Sequence, residues 1–350
     1  MMIIRPVQPS DLDGVYALAE SAGVGVTTLP ANREFLAARI EAARQAFHRE
    51  GDPRSSYYMF VLEDTGQERV AGVCAIDAGV GLKDVWYNYR LSNTVNASSE
   101  LGIHRQTPTL YLSNDMTGCS EVCTLFLHED YRKGANGRLL SLSRFLFMAD
   151  FRECFAEKVF AEMRGVSDEQ GNAPFWEGLG RKFFTLDFSY ADYLTGLGNK
   201  SFIAELMPKY PIFVPFLPQS AQEVIGKVHE NTGPALHMLT TEGFNFNGMI
   251  DIFDAGPLVE AFVHNVRSVR ESFKRYALVS GDDAPAAHWQ GDELYMVSNR
   301  RFEDFRVALV PGKSIKIDTV TLSHSMAGHL QVGSGDTVRL VRLKPGRKGQ

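Results

Sequence analysis

Three residues in the segment 125–147, LFLHEDYRKGANGRLLSLSRFLF, have the types and spacing of an anion-binding loop. Arg132, Gly134 and Gly137 follow a short apolar strand and come directly before a helix rich in Leu and Phe. A helix N-terminus presents unpaired backbone N–H groups and the positive end of the helix dipole. Small residues there let the main chain approach phosphate groups closely, so the loop predicts a pyrophosphate site. An ordinary glycine-containing loop before a core helix would have the same composition.

Two histidines are candidates for a catalytic acid or base. His229, in the segment GKVHENTGPA, lies in a loop just before a helix-start signal at Asn231, a position from which a side chain can face a cleft. An imidazole with a pKa near 6.5 can give and recover a proton at neutral pH. Taken from the residues alone, a surface or helix-capping role fits His229 as well. His128, just after the strand that precedes the loop, is the rival acid or base.

The chain has four cysteines and no C-x-x-C pair, which argues against a disulfide framework or a structural zinc site. We therefore expect no bound metal. Cys119 and Cys123 are four residues apart and have no histidine partners at ligand spacing. A cysteine nucleophile that forms an acyl-enzyme is an alternative chemistry, because cysteine is intrinsically the most nucleophilic side chain.

The elements around these residues alternate between strands and helices. Strands are predicted at 58–63, 69–76, 122–127, 159–163 and 183–188, and helices at 12–19, 32–48, 138–151 and 172–180. This alternation predicts an α/β fold with a mixed sheet flanked by helices. Residues 79–118 mix aromatic and polar side chains, so we expect irregular strands there. Beyond about residue 270, short β-rich runs separated by Gly, Asp and Pro predict a small β module.

Composition narrows the class of protein. The formal net charge of −6 leaves no basic field for nucleic acid or an anionic membrane. No stretch approaches the ~20 consecutive apolar residues of a membrane span. The N-terminal segment MMIIRPVQPSDLD has no apolar signal core, so we expect a reduced, cytoplasmic protein that acts on a small molecule.

The strand, loop and helix resemble those of the GNAT acyltransferase superfamily, whose loop R/Q-x-x-G-x-G/A binds the pyrophosphate of coenzyme A. Arg132 and Gly137 match that pattern, whereas Ala135 stands at the first glycine and Gly134 comes one residue early. Alanine permits the same close approach as long as its position does not need a positive φ. The resemblance implies that the strand before the loop, with Leu125 and Leu127, contacts the pantetheine arm.

Two later segments are similar to the superfamily's second cofactor segment, N-x-x-A-x-x-x-Y-x-x-x-G-F. The first covers 172–184, with Trp176 and Gly180 as its aromatic residue and glycine, and the second covers 231–244. The repetition indicates either a partial duplication or a second GNAT-like half, although two amphipathic helices that each end at a glycine would look alike.

The resemblance and the change in character near residue 270 divide the chain into three parts. These are a GNAT-like domain at 1–195 that binds the acyl-CoA, a second GNAT-like half at 196–270 that carries His229, and a β-rich module at 271–350.

The closer resemblance is to the arginine N-succinyltransferase family, over at least residues 2–265. Segments that carry it include TTLPANREFLAARI, TGCSEVCTLFL, AEMRGVSDEQGNAPFWEGLGRKFF, AQEVIGKVHENTGPA and EGFNFNGMIDIFDAGP. The resemblance implies transfer of a succinyl group from succinyl-CoA, a co-substrate and not a permanently bound cofactor, to the α-amine of L-arginine. It also implies that His229 is the proton donor and that Leu125 contacts succinyl-CoA.

Such a reaction needs a cation for the distal carboxylate of the succinyl group and carboxylates for the arginine guanidinium. Arg90 and Arg164 are the candidates for the first role, and the sequence does not rank them. Candidates for the second role are Asp115, Glu162, Asp168 and Glu169.

Two other functions stay open at this point. Relatives resembling α and β subunits of an arginine/ornithine succinyltransferase imply a chain that acts with a paralogous partner, as an alternative to a homo-oligomer. A GNAT enzyme that acylates protein lysines would need an open peptide groove, whereas the aromatic insertion at 79–118 favours a closed small-molecule pocket.

Overall fold

The computed structural model describes residues 1–22, 28–168, 171–197, 201–281 and 293–346. Its first half contains, in chain order, β1 Met2–Pro6, α1 Leu12–Ala22, α2 Arg33–Phe47, β2 Tyr57–Asp64, β3 Arg69–Asp77, β4 Asn88–Ser98, β5 Ile103–Ser113, β6 Ser120–Leu127, α3 Asn136–Asp150 and β7 Lys158–Glu162.

The second half begins with four short helices and a two-residue strand, and it ends in a β-rich part. Its elements are α4 Pro174–Gly178, α5 Phe188–Gly196, α6 Ser201–Leu206, β8 Ile212–Phe213, α7 Gln219–Val224, α8 Gly233–Glu242, β9 Asn245–Ile250, β10 Pro257–Phe262, α9 Arg267–Arg270, β11 Phe273–Val279, β12 Leu294–Ser298, β13 Val307–Pro311, β14 Thr319–Leu322, α10 His324–Leu330 and β15 Thr337–Arg342.

The fifteen strands of the described residues form one mixed sheet in the order β14-β11-β15-β12-β13-β1-β2-β3-β6-β7-β10-β9-β4-β5-β8. Successive side chains of a strand face opposite sides, and β2 uses both. Its Tyr58 and Phe60 belong to the core under α3, whereas Met59 and Val61 pack with α1 and α2. The predicted α/β fold with a mixed sheet flanked by helices is confirmed.

Phenylalanine fills the largest core. The ring of Phe147, on α3, lies 5.2 Å from Phe60, 5.4 Å from Phe302 and 5.0 Å from Phe305, measured between centroids. The last two residues lie just before β13, so the β-rich C-terminal part shares this core with α3. Such edge-to-face and tilted ring contacts anchor α3 firmly beneath the sheet.

Two details differ from the sequence-based predictions. The strand predicted at 183–188 is wrong, because Phe184 stacks on Trp176 at 5.3 Å and α5 already begins at Phe188. A short apolar run packs equally well as a strand or as buried turns, so the hydrophobic periodicity of this segment does not distinguish the two. Residues 79–118 contain the long, regular hairpin of β4 and β5 in place of irregular strands. Among the described residues, no helix is both long and apolar enough to span a bilayer.

Candidate active site

β6 and β7 are parallel neighbours that pair only where each begins. Ser120 pairs with Val159 and Glu121 with Phe160, and no further residues of the described β6 and β7 are paired with each other. On its other edge, β6 stays paired with β3 as far as Leu127. The remainder of β6 therefore has one edge without a neighbouring strand, and an opening separates it from the end of β7.

A β-bulge at Thr124 shapes this edge. The register passes from Ala75–Cys123 to Val73–Phe126, which leaves one extra residue on β6, and Thr124 has a left-handed φ of 52°. The Thr124 hydroxyl hydrogen-bonds the Tyr57 hydroxyl at 2.7 Å, which holds the bulge in place. Bulges bend a strand and re-aim its backbone groups, and they are common next to active sites.

A cavity of about 1300 Å³ follows the opening. Its walls come from β6, the loop between β6 and α3, the residues after β7, and α8. The volume exceeds the ~300–1,000 Å³ of most small-molecule pockets, so it has room for a long ligand together with a second substrate. From the 79–118 insertion, only residues up to Trp86 line the cavity, so the β4–β5 hairpin does not close it as predicted.

The junction between the loop and α3 places the backbone N–H groups of the first helical turn at the helix end, although the N–H groups of Arg132 and Lys133 are bonded within the loop. The left-handed residue is Gly134, with φ 61°, whereas Ala135 has φ −105° and caps α3 without a side-chain hydrogen bond. The first α-helical bond of α3 runs from the Leu139 N–H to the Ala135 carbonyl at 2.9 Å. The N–H groups of Gly137 and Arg138, which precede that bond, lie at the positive end of the helix dipole. The shift of the glycine by one residue therefore leaves these N–H groups at the helix end, where the sequence predicts an anion site.

Basic and apolar residues of the predicted cofactor site lie around this loop. Arg132, Lys133 and Arg138 all line the cavity, and the Arg132 Nε donates to the Leu127 carbonyl at 3.0 Å. Leu125 and Leu127 line it too, with side chains that pack partly on the α3 core. The structure thus brings together the predicted residues of the β6–α3 segment.

His229 is not itself among the residues that line the cavity, but Arg164, whose carbonyl accepts its N–H, and the next residue, Glu230, both line it. The His229 N–H donates to the Arg164 carbonyl at 2.9 Å, and the His229 Nδ1 accepts the Asn231 N–H at 3.2 Å. Because Nδ1 is an acceptor, Nε2 carries the hydrogen of the neutral ring. Burial, and then the positive charge of Arg164, lower the pKa of His229, while Glu230 opposes them.

The two arginines proposed for the succinyl carboxylate differ in their surroundings. Arg90 is an exposed residue outside the cavity lining, and its Nη2 forms an ion pair with Asp115 at 2.7 Å. Arg164 lines the cavity, its Nη2 donates to the Ser167 hydroxyl at 2.8 Å, and its buried Nε has no hydrogen-bond partner. Only Arg164 is positioned to meet a ligand in the cavity.

Carboxylates gather on the side of the cavity formed after β7 and β9. The lining contains Glu162, Asp192, Glu230, Asp251 and Asp254. Burial, followed by the negative charge of Asp251, raises the pKa of Asp254 well above its usual value. A cationic ligand would relieve this repulsion.

Of the three described acids among the four predicted to bind a guanidinium, only Glu162 belongs to this lining. Asp115 pairs with Arg90, and Asp168 is exposed and bonds Asn172. Glu169 lies outside the described residues. Sequence analysis missed Asp192, Asp251 and Asp254 because they lie on segments without a recognisable motif.

The other candidates lie elsewhere or lack the required chemistry. The His128 Nδ1 accepts the Asp130 N–H at 3.3 Å. Neither His128 nor the next two residues, Glu129 and Asp130, line the cavity, whereas the residues that follow His229 do. Cys123 is buried, and burial, together with the charges of Glu121 and Asp77, raises the pKa of its thiol well above the ordinary value. A thiol so far from ionisation does not fit a nucleophile.

Of the two predicted second cofactor segments, the structure brings only the later one to the cavity. Asn231, Ala235 and Leu239 line it. No residue of 172–184 lines the cavity. Trp176 is fully buried in a separate core, and its Nε1 donates to the Leu186 carbonyl at 3.0 Å.

Comparison with known proteins gives consistent matches over the whole chain. A family model described as arginine N-succinyltransferase beta subunit matches residues 2–268, and the model of that subunit's C-terminal domain matches 279–342. Arginine N-succinyltransferase subunit beta of Pseudomonas aeruginosa is 50% identical over 350 residues, covering 99% of this chain and 100% of the relative. An arginine N-succinyltransferase of Escherichia coli is 50% identical over 344 residues, covering 98% of each.

A solved structure is similar over the same length. The arginine/ornithine succinyltransferase subunit AI from Pseudomonas aeruginosa superposes with a TM-score of 0.89 at 36% sequence identity, covering 99% of each chain.

Proposed function

The chain belongs to the arginine N-succinyltransferase family, and we propose that it transfers the succinyl group of succinyl-CoA to the α-amine of L-arginine, giving N2-succinylarginine and CoA. The protein is an acyltransferase. One observation carries the assignment of the reaction to this cavity: the unpaired edge of β6, the uncapped N-terminus of α3 and the loop with His229 all meet at one opening.

In this proposal CoA is a co-substrate that lies along the opening. The N–H groups of Gly137 and Arg138 bind its diphosphate at the N-terminus of α3. Arg132 and Gly134 contribute charge and close backbone approach. The free edge of β6 at Leu125 and Leu127 pairs with the pantetheine amides as an added strand would, so these leucines act through their backbone and their packing.

The neutral α-amine of arginine attacks the thioester carbon, a C–N bond forms, and the C–S bond breaks. Because the α-amine has a pKa near 8, a small fraction is neutral at working pH. We propose that the Nε2–H of His229 donates a hydrogen bond to the departing CoA sulfur, which stabilises its negative charge. After the attack the new amide nitrogen loses one proton to water, and the departing CoA thiolate takes up one proton, so CoA leaves as the thiol and the charges balance.

Charge supports the orientation of the second substrate. Arg132, Lys133 and Arg138 line the cavity at the α3 end, and Asp192, Asp251 and Asp254 form an acidic cluster in another part of the lining, which contains further residues of both charges. A guanidinium is therefore attracted to the acidic side, and the CoA phosphates to the basic side.

A second candidate is a subunit that acts with a paralogous chain. The two Pseudomonas aeruginosa relatives, at 50% and 36% identity, are both described as subunits. In that case the purified chain would have little activity alone and would gain it from its partner. All four cysteines are free thiols, which is compatible with the reducing cytoplasm proposed for either form.

Thiol release by the purified single chain tests the proposal. We expect rapid release of CoA from succinyl-CoA with L-arginine, with ornithine and acetyl-CoA as comparison substrates. Release that does not depend on an amine acceptor, or no release at all, would overturn the single-chain form of the proposal. Activity that appears only on addition of a second chain would favour the subunit.

A further inference from the structure

We propose that the Arg164 guanidinium binds the distal carboxylate of the succinyl group and thereby selects succinyl-CoA over acyl-CoA substrates that lack this carboxylate. This inference rests on the proposed function. It assigns the preference for the succinyl donor to a single residue that lies outside the loop between β6 and α3.

The surroundings of Arg164 leave its charge without a counterion. Within the described residues, no carboxylate lies at ion-pair distance from its guanidinium, whose Nη2 is bound only to the neutral Ser167 hydroxyl at 2.8 Å. The Nε of Arg164 is buried and has no hydrogen-bond partner. A buried donor left unsatisfied costs free energy, and a carboxylate forms the strongest, bidentate hydrogen bonds with a guanidinium. The arrangement is therefore suited to an incoming carboxylate.

The position of Arg164 along the chain puts it at the reacting end of the opening. It follows β7, whose first residues pair with β6 before the two strands separate. Its carbonyl accepts the N–H of His229, so the two residues are held on adjacent backbone segments. Because only two methylene groups separate the carbons of the two succinyl carboxyl groups, the distal carboxylate must lie close to the thioester that reacts beside His229.

Three of the other arginines that line the cavity have different partners. Arg132 is bound to the Leu127 carbonyl at the α3 end, and Arg39 packs over the Tyr57 ring at 4.6 Å. Arg144 is fully buried and donates to the Cys123 carbonyl at 3.2 Å, beneath the bulge. None of these three guanidinium groups combines a buried free N–H with a place beside His229.

The α-carboxylate of arginine is the second source of the same chemistry, so the test must separate the two. Arg164→Gln and Arg164→Lys are assayed for kcat/KM with succinyl-CoA and acetyl-CoA, each with L-arginine and L-argininamide. For Arg164→Gln we expect about a 100-fold loss with succinyl-CoA, as for a charged hydrogen bond worth ~3 kcal/mol, and little change with acetyl-CoA. Arg164→Lys should recover part of the loss, because it keeps the charge without the bidentate geometry.

Arg90→Gln is the matched control, since it removes an arginine outside the cavity lining, and it should keep the preference for succinyl-CoA. An equal loss with both acyl donors, accompanied by loss of discrimination against argininamide, would assign Arg164 to the α-carboxylate and overturn the proposal. An unchanged ratio of succinyl-CoA to acetyl-CoA activity would overturn it as well. If the unsubstituted chain transfers no succinyl group, the proposed function itself fails; if it is active, only the role of Arg164 is being judged.

Discussion

The backbone N–H of His229 donates a hydrogen bond to the carbonyl of Arg164 at 2.9 Å. The β-bridge between Gly165 and Val228 lies next to this bond. Together they join the segment after β7 to the segment before α8, across a long stretch of intervening chain. The histidine proposed to hydrogen-bond the departing sulfur and the arginine proposed to bind the carboxylate are therefore fixed relative to each other by the backbone, and their side chains can act on one ligand.

Replacing His229 with alanine should lower kcat by about 100-fold, because removing one hydrogen-bond donor to charge that develops in the transition state typically costs that much or more. The Kd for succinyl-CoA should stay nearly unchanged, since the predicted diphosphate site lies at α3. Steady-state kinetics and calorimetric titration of the variant measure the two quantities.

His128→Ala is a matched control for that experiment. Both histidines accept a backbone N–H at Nδ1 at the start of a short 3-10 helix, so both variants lose the same capping bond. An equal loss of kcat in the two variants would mean that His229 contributes only its cap.

Loss of the Arg164 charge should raise the pKa of His229. The pKa is lowered by burial and by the positive charge of Arg164, so Arg164→Gln removes the second cause and leaves the first. Glu230, which raises the pKa, remains in both proteins. A histidine-selective NMR titration, assigned with the His229→Gln variant, should find the midpoint at higher pH in Arg164→Gln. A midpoint that moves down or does not move contradicts the electrostatic coupling.

Gly137→Val should weaken CoA binding by about tenfold or more, because a side chain would lie between the N–H groups of α3 and the diphosphate. The protein itself has room: a Cβ at Gly137 would approach only the Leu127 Cδ2, at 3.9 Å. Calorimetric titration with CoA measures the effect.

Gly328→Val, on α10, is the control for the helix propensity of valine, since a Cβ there meets nothing within 4 Å. Equal CoA affinity in Gly137→Val and the unsubstituted chain would remove the loop from the binding site.

A buried ion pair attaches α8, one wall of the cavity, to α9. The Arg267 Nε donates to the Glu242 carboxylate at 2.9 Å, and both side chains are almost fully buried. Arg267→Met would leave Glu242 buried without its counterion, so we expect the free energy of unfolding to fall by about 3–5 kcal/mol. Urea denaturation measures it. Arg270→Met, which removes an exposed neighbour, should change it by less than ~1 kcal/mol; similar losses in both variants would contradict the importance of burial.

The anion loop was the most predictable part of the site, because strand, small residues and helix follow one another in the sequence. Arg132, Gly134 and Gly137 are local to one segment, and the structure brings them to the cavity as expected. The substitution at Ala135 is accommodated since the left-handed φ falls on Gly134. The α/β fold was predictable for the same reason: its strand and helix periodicities are local.

What the sequence did not decide depends on tertiary contacts. Segments 172–184 and 231–244 carry the same spacing, and only packing puts Trp176 in a separate core and Ala235 at the cavity. Arg90 and Arg164 are equally good candidates from the sequence alone. The structure distinguishes them because Asp115 forms an ion pair with Arg90. The division into 1–195, 196–270 and 271–350, and the oligomeric state, stay predictions.

A crystal structure of the protein with CoA tests the central claim most directly. We expect the diphosphate at the N-terminus of α3, within hydrogen-bond distance of the Gly137 and Arg138 N–H groups, and the thiol in the opening between β6 and β7, on the side of His229 and Arg164. A diphosphate bound at any other surface, with the opening empty, would contradict the account.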